Sequence, residues 1–239
     1  MPKDWLSGRV GVVTGASRGI GRATALRLAE RGVHVVAAAR DGEALESLND
    51  EIRSAGGRAT GVVCDVADGE AIDRLFQVTQ DVGAPSVLVC AAARLGKAPF
   101  DDIASGDWER TIAVNLTGTF LSCQRAFASM KQSGGGRIIT IASLSGVYAI
   151  EKFPGLAAYN VSKSGVIGLT EAIAVEGRAH GISALCVSPG AVDTEMLHEA
   201  NPDLKPGLGP DDVGRLLVAL LDEDILPASG ANIPLFSNL

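Results

Sequence analysis

Val10 to Gly32 read VGVVTGASRGIGRATALRLAERG, and this stretch decides the fold. Residues 10–15 form an apolar, β-branched run that predicts a strand, and residues 19–32 carry the apolar spacing of a helix. Between them Gly15, Gly19 and Gly21 stand in the pattern G-x-x-x-G-x-G. Glycine permits a tight turn there and lets the backbone approach a bound pyrophosphate. The helix beyond presents free N–H groups and a partial positive charge. Alone, three glycines mark only a turn; after the first strand of an alternating chain they predict a dinucleotide site.

The alternation continues to the end of the chain. VHVVAAA (33–39), ATGVVC (59–64), SVLVCAA (86–92), RIITIAS (137–143), ISALCVS (182–188) and GANIPLF (230–236) read as strands two to seven. Helices are expected at 42–56, 68–82, 107–132, 157–179 and 211–222. Near-continuous Val/Ile/Ala strands imply burial on both faces. The expected fold class is therefore α/β, a doubly wound parallel seven-stranded sheet, Rossmann-like, with helices on both faces. No repeat or linker divides the 239 residues, so a single dinucleotide-binding and catalytic domain (1–239) is expected. The stretch 189–210 lacks periodicity and is expected to be a structureless functional loop beyond strand six.

Composition narrows the function. The chain is 46% hydrophobic with 29 glycines and 4% aromatics, which suits a glycine-punctuated α/β core. A net charge of −7 argues against a nucleic-acid partner and against a polybasic membrane patch. No apolar run reaches 18 residues, and the N-terminus lacks a signal-peptide layout. Cys64, Cys90, Cys123 and Cys186 form no C-x-x-C and read as buried reduced thiols, with no metal site expected. A cytoplasmic setting follows from these readings.

The choice of dinucleotide is legible at the end of strand two. An acidic side chain there would bind a ribose 2′-hydroxyl and select NAD. Here Ala39 takes that place and Arg40 follows, while Asp41 has the position of a helix N-cap. Arg18, inside the glycine turn, is a second cation. Two arginines and no carboxylate suit a 2′-phosphate, so NADPH is expected over NADH.

Tyr159 and Lys163 lie four residues apart in AAYNVSKSGVIGL, with Ser143 sixteen residues upstream of Tyr159. On a helix that spacing puts both side chains on one face, with Cβ atoms roughly 5–6 Å apart. An ammonium beside a phenol favours the phenolate. Bringing a phenol from ~10 to ~7 takes about 4 kcal/mol of differential interaction, at ~1.36 kcal/mol per unit. A close cation in a partly dry cleft supplies that order of energy.

TGASRGIG (14–21), CDV (64–66), VNLTGTF (114–120), SLSG (143–146), YNVSK (159–163) and PGAVDT (189–194) occur in this order. Together they resemble the short-chain dehydrogenase/reductase family, in its single-domain branch that includes 3-oxoacyl-thioester and carbonyl reductases. The resemblance runs from Val10 to Leu235. It implies that Tyr159 exchanges a proton with the reacting oxygen and that Ser143 hydrogen-bonds the same oxygen, with Ser145 as a competitor. It implies that Lys163 tunes Tyr159 and holds ribose hydroxyls, and that Asn115 holds a water linking Lys163 to solvent. Cofactor contacts implied by the resemblance come from Gly15, Ser17, Arg18, Gly19, Ile20 and Gly21 in the turn. Further ones come from Arg40, Asp65, Val66 and Cys90 at strand ends, and from Pro189, Gly190, Val192 and Thr194 after strand six. A homodimer or homotetramer packed through helices 107–132 and 157–179 is also implied.

The chain departs from the family at Cys90–Ala93, where N-N-A-G is usual, in the longer interval YAIEKFPGL before Tyr159, and in a tail without V-D-G-G. The expected activity is NADPH-dependent reduction of a ketone or aldehyde. Oxidation of an alcohol with NAD(P), or dinucleotide binding without turnover, are the alternatives. Leu144, Phe153, Met196 and Leu197 indicate a mostly apolar substrate pocket, with a 3-oxoacyl thioester or a hydrophobic ketone as candidates.

Overall fold

The computed structural model describes residues 5–150 and 152–237. The reading of the N-terminus as lacking a leader falls partly on residues 1–4, outside the described residues.

The first half of the chain follows the expected alternation closely. β1 (Val10–Thr14), α1 (Gly19–Glu30), β2 (His34–Ala39), α2 (Gly42–Ser54), β3 (Arg58–Val63), α3 (Gly69–Val82) and β4 (Pro85–Cys90) run in turn. Asp41 caps α2, its Oδ1 accepting a 3.0 Å bond from Ala44 N, so this carboxylate is engaged at a helix start. The second half holds α4 (Ser105–Ile112), α5 (Gly118–Ser133), β5 (Gly136–Ile141), α6 (Ala157–Gly177) and β6 (Ile182–Pro189). It ends with α7 (Glu195–Ala200), α8 (Pro210–Ala219) and β7 (Asn232–Leu235).

One expectation is refined and one corrected. The helix expected at 107–132 is unbroken but irregular: a π-helical segment, Ala113–Thr117, joins α4 to α5. The stretch 189–210 is not structureless. It contains α7, capped by Thr194 Oγ1 accepting from Leu197 N at 3.3 Å, and a parallel bridge between Val192 and Leu208.

All strands pair in parallel in the order β3-β2-β1-β4-β5-β6-β7. Side chains alternate across a strand, so each strand feeds two cores. Val35, Val87, Val89 and Ile139 pack with Leu28, Leu48 and Leu217 under α1, α2 and α8. Val12, Val36, Leu88 and Ile138 pack with Ile72, Leu75 and Met130 under α3 and α5. Each fully buried Leu or Ile contributes roughly 1.5–3 kcal/mol. Strand order reverses between β1 and β4, and the crossovers leave on opposite faces. A crevice opens there at the carboxyl ends of the strands, where ligands bind in such sheets. No described helix is long and apolar enough to cross a membrane.

Candidate active site

The crevice is one cavity of about 980 Å³. Gly15, Ser17, Arg18, Gly19, Ile20 and Gly21 line one end of it. A Cβ on Gly21 would lie 2.2 Å from the carbonyl oxygen of Gly15, so only glycine lets α1 start this close to the end of β1. The first turn of α1 carries no acidic residue, and Arg18 at its N-cap makes no side-chain capping bond. That donor set is chemically suited to a phosphate.

At the far edge of this end, β2 finishes in buried Ala39 with exposed Arg40 beside the cavity. Among the described residues Arg40 makes no hydrogen bond or ion pair. Arg18, by contrast, is paired with Glu195 in the first turn of α7, so its charge is already offset. Asp65 and Val66 also line the cavity. Asp65 Oδ1 accepts from Ala67 N at 3.0 Å, and Oδ2 pairs with Arg110 of α4. Burial raises the Asp65 carboxyl, but the Arg110 and Ala67 bonds outweigh it and hold it below the usual carboxylate value.

Arg110 also lines the cavity and escaped the reading of the sequence. These residues, with the size of the cavity, fit a nicotinamide dinucleotide.

Cys90 does not fit the role expected of it. It is buried with its Sγ 3.8 Å from Cys123 Sγ in the core under α5, and it does not line the cavity. It shares a strand face with Leu88, which already points into that core. Ala91, Ala92 and Ala93 line the cavity in its place. All four cysteines are free and buried.

Ser143, Tyr159 and Lys163 all line this cavity. Along α6 the buried positions Tyr159, Ser162, Lys163, Val166 and Thr170 form one inward stripe at helical spacing. Ser143 follows β5 in extended conformation and leads into the turn Leu144–Gly146. A Cβ on Gly146 would sit 2.6 Å from the Lys163 carbonyl carbon. The turn therefore lies directly on the α6 backbone, tied by Ser164 Oγ donating to Gly146 O at 2.8 Å. This contact brings the Ser143 hydroxyl close enough to the phenol to favour its ionised form. Ser145 lines the cavity too, its N–H donating to Ser143 Oγ at 3.2 Å.

The electrostatics differ from the expectation. Tyr159 is 9% exposed and Lys163 3%. Burial pushes the phenol above its ordinary value, and the nearby Ser143 hydroxyl pulls it only partly back. Burial also brings Lys163 down to about 8. The ammonium stands 5.7 Å from the Tyr159 ring centroid and donates a 2.7 Å bond to Ile141 O. Desolvation thus favours the neutral form of each group and outweighs a cation held at that distance.

Asn115, in the π segment, is fully buried and away from the cavity. Its Oδ1 accepts from Arg94 N at 2.7 Å, and its Nδ2 donates to Arg94 O at 2.9 Å and Ser162 Oγ at 3.0 Å. It clamps the loop after β4 to α6. Pro189, Gly190, Val192 and Thr194 line the cavity above β6, as do Leu144, Phe153, Met196 and Leu197. Phe236, after β7, is a lining residue that sequence reasoning missed.

A family model described as short chain dehydrogenase matches residues 9–205. A hydroxy(phenyl)methylsuccinyl-CoA dehydrogenase subunit from Thauera aromatica is 36% identical over 232 residues, 92% of this chain and 91% of that protein. A 3-oxoacyl-acyl-carrier-protein reductase from Synechocystis sp. is 37% identical over 200 residues, 83% of this chain and 80% of the other. A short-chain type dehydrogenase/reductase from Mycobacterium marinum superposes with a TM-score of 0.91 at 33% identity, covering 98% of this chain and 96% of that one. An actinorhodin polyketide ketoreductase variant with NADPH gives 0.90 at 29% identity, covering 97% of each chain. The sheet order, the crevice and these matches agree, and the chain belongs to the short-chain dehydrogenase/reductase family of nicotinamide-dinucleotide oxidoreductases.

Proposed function

We propose that the protein reduces a ketone or aldehyde to an alcohol with NADPH, reversibly, with Tyr159 as general acid in reduction and base in oxidation. The observation that carries this reading is the convergence of Ser143, Tyr159 and Lys163 in the wall of the cavity whose other end is the glycine turn. When bound, the nicotinamide supplies or receives the hydride. Tyr159 Oη gives its proton to the carbonyl oxygen as charge develops there. Its raised value keeps that proton in place until then. Ser143 Oγ holds the same oxygen and fixes its position. Lys163, at about 8, stabilises the phenolate left behind and gives up a proton near neutrality more readily than a surface lysine.

In this reading Thr194 and the backbone of Val192 hold the carboxamide, and Asp65 and Val66 border the adenine. Arg40 receives the 2′-phosphate, having no competing carboxylate bound to it. The reaction's direction in the cell follows the ratio of the two cofactor forms. A dimer or tetramer is proposed through α4, α5 and α6, where Trp108, Phe120 and Val161 are exposed. The test is loss of NADPH absorbance against a panel of carbonyl compounds, with Tyr159→Phe alongside. Full activity in the variant would discard the assignment of Tyr159.

A further inference from the structure

Beyond Tyr159 the cavity continues into an apolar end built from distant parts of the chain. Leu144 and Phe153 come from the segment after β5, Met196 and Leu197 from α7, and Phe236 from the residues after β7. Phe153 is 60% exposed and Phe236 54%, both at this cavity. Large apolar side chains left in water beside a reacting group mark a contact surface.

The walls are tied to one another. Lys97 Nζ donates to Ala200 O at the end of α7 at 2.9 Å, and Ala98 N donates to Gly155 O at 3.0 Å. Lys152 Nζ closes the segment after β5 on itself by donating to Val147 O at 2.6 Å. The apolar end is thus held open in shape before a substrate arrives.

Most polar side chains there already have partners within the protein. Ser143 Oγ accepts from Ser145 N and is assigned to the reacting oxygen, Lys97 donates to Ala200 O, and the charged Arg94, Asp193 and Glu195 are paired with Asp107, His198 and Arg18. Ser145 and Asn201 are neutral hydrogen-bonding side chains among the lining residues. A substrate with several hydroxyls would bury some of them unpaired, and each such group costs on the order of tenfold in affinity or more.

We infer that the substrate is a carbonyl compound whose carbonyl is flanked by a bulky apolar group, held by Phe153, Leu197 and Phe236, and that polyhydroxylated carbonyls are refused. This rests on the assignment of Tyr159 as proton donor to a carbonyl. It goes further in choosing among the substrates that such a donor serves.

The experiment compares 4-phenylcyclohexanone with erythrulose as substrates of the whole protein with NADPH. The expected preference in kcat/KM for the aryl ketone is about 100-fold, from two unpaired hydroxyls at roughly tenfold each. Phe153→Ser is expected to raise KM for the aryl ketone about tenfold with little change in kcat, and Phe153→Leu to restore it. Erythrulose reduced as well as the aryl ketone overturns the inference and leaves carbonyl reduction standing. If neither these ketones nor cyclohexanone consumes NADPH, the proposed activity falls instead. The pocket is then judged by displacement of the apolar fluorophore anilinonaphthalene sulfonate. Displacement by the aryl ketone and not by erythrulose upholds the apolar class; displacement by both equally, or by neither, overturns it.

Discussion

The two ends of the cavity are built by different means. At the nucleotide end the backbone does most of the work: a glycine turn, an uncapped helix start and an alanine where a carboxylate would stand. At the catalytic end the work falls to side chains taken out of water. Tyr159 and Lys163 are buried, and Lys163 is held by its bond to Ile141 O in β5. A backbone site binds by shape and tolerates little added bulk. A side-chain site carries desolvation cost, so its groups are poised between charge states. Substitutions should therefore separate the two ends by the kind of failure they produce.

The largest expected effect is at the catalytic end. Tyr159→Phe removes the proton donor and keeps the ring, so kcat should fall about 1,000-fold, within the ~10²–10⁴ range of general acid catalysis. NADPH affinity should stay within a few-fold, measured by quenching of protein fluorescence. A parallel loss of binding would erase the distinction between the two ends.

Next is a gain of stability from loss of a buried charge. Lys163 titrates at about 8 in the fold against 10.5 when exposed. Below pH 8 it is charged in both states, and the fold carries the full cost of burying it, about 3 kcal/mol at ~1.36 kcal/mol per unit. Between about 8 and 10.5 the unfolded chain holds a proton that the fold has shed, so this group's contribution to stability rises with pH. Lys163→Met should thus be more stable than the parent at pH 7 by up to about 3 kcal/mol, less the lost bond to Ile141 O. That advantage should vanish above pH 10.5. Urea denaturation across this range reads the difference, and a variant weaker at pH 7 would mean the ammonium is held at a profit.

At the nucleotide end Gly21→Ala places a methyl 2.2 Å from a carbonyl oxygen that has no rotamer to move to. The strain, about 1–3 kcal/mol for overpacking, should appear as roughly 10–100-fold weaker NADPH binding with kcat at saturation little changed. A drop in kcat without weaker binding would show that the glycine turn also sets catalytic geometry.

The smallest effect is one of choice. Arg40→Asp should shift the NADPH-to-NADH ratio of kcat/KM by about tenfold or more toward NADH, the acid pairing a ribose hydroxyl and repelling a 2′-phosphate. An unmoved ratio in steady-state kinetics would transfer the selection to Arg18 or Arg110.

What could be read in the sequence follows the same division. The glycine turn, the alternating strands and the Tyr159–Lys163 spacing are local patterns with fixed periods, and the structure places them where those periods put them. The inward direction of Cys90 was available from the alternation with Leu88 and was overridden by family position. α7 is only six residues long, too short for a helical period to appear; its sole mark was the capping Thr194. Phe236 and Arg110 reach the cavity through tertiary placement, which no local period encodes. The direction of the Tyr159 shift depended on how far burial exceeds the reach of one cation, a quantity set by packing.

The π segment has a further consequence for register along the α4–α5 rod. Each α-helical residue advances the chain by about 100°, and a π turn inserts one residue beyond the regular count. Wound as plain α-helix with no residue removed, Ala113–Thr117 would swing α4 by much of that angle about its axis relative to α5. Arg110 would leave Asp65 and Asp107 would leave Arg94 in a single step, while the hydrophobic stripe of α5 stayed seated. One residue of surplus winding thus keeps two halves of a rod in phase with two different neighbours.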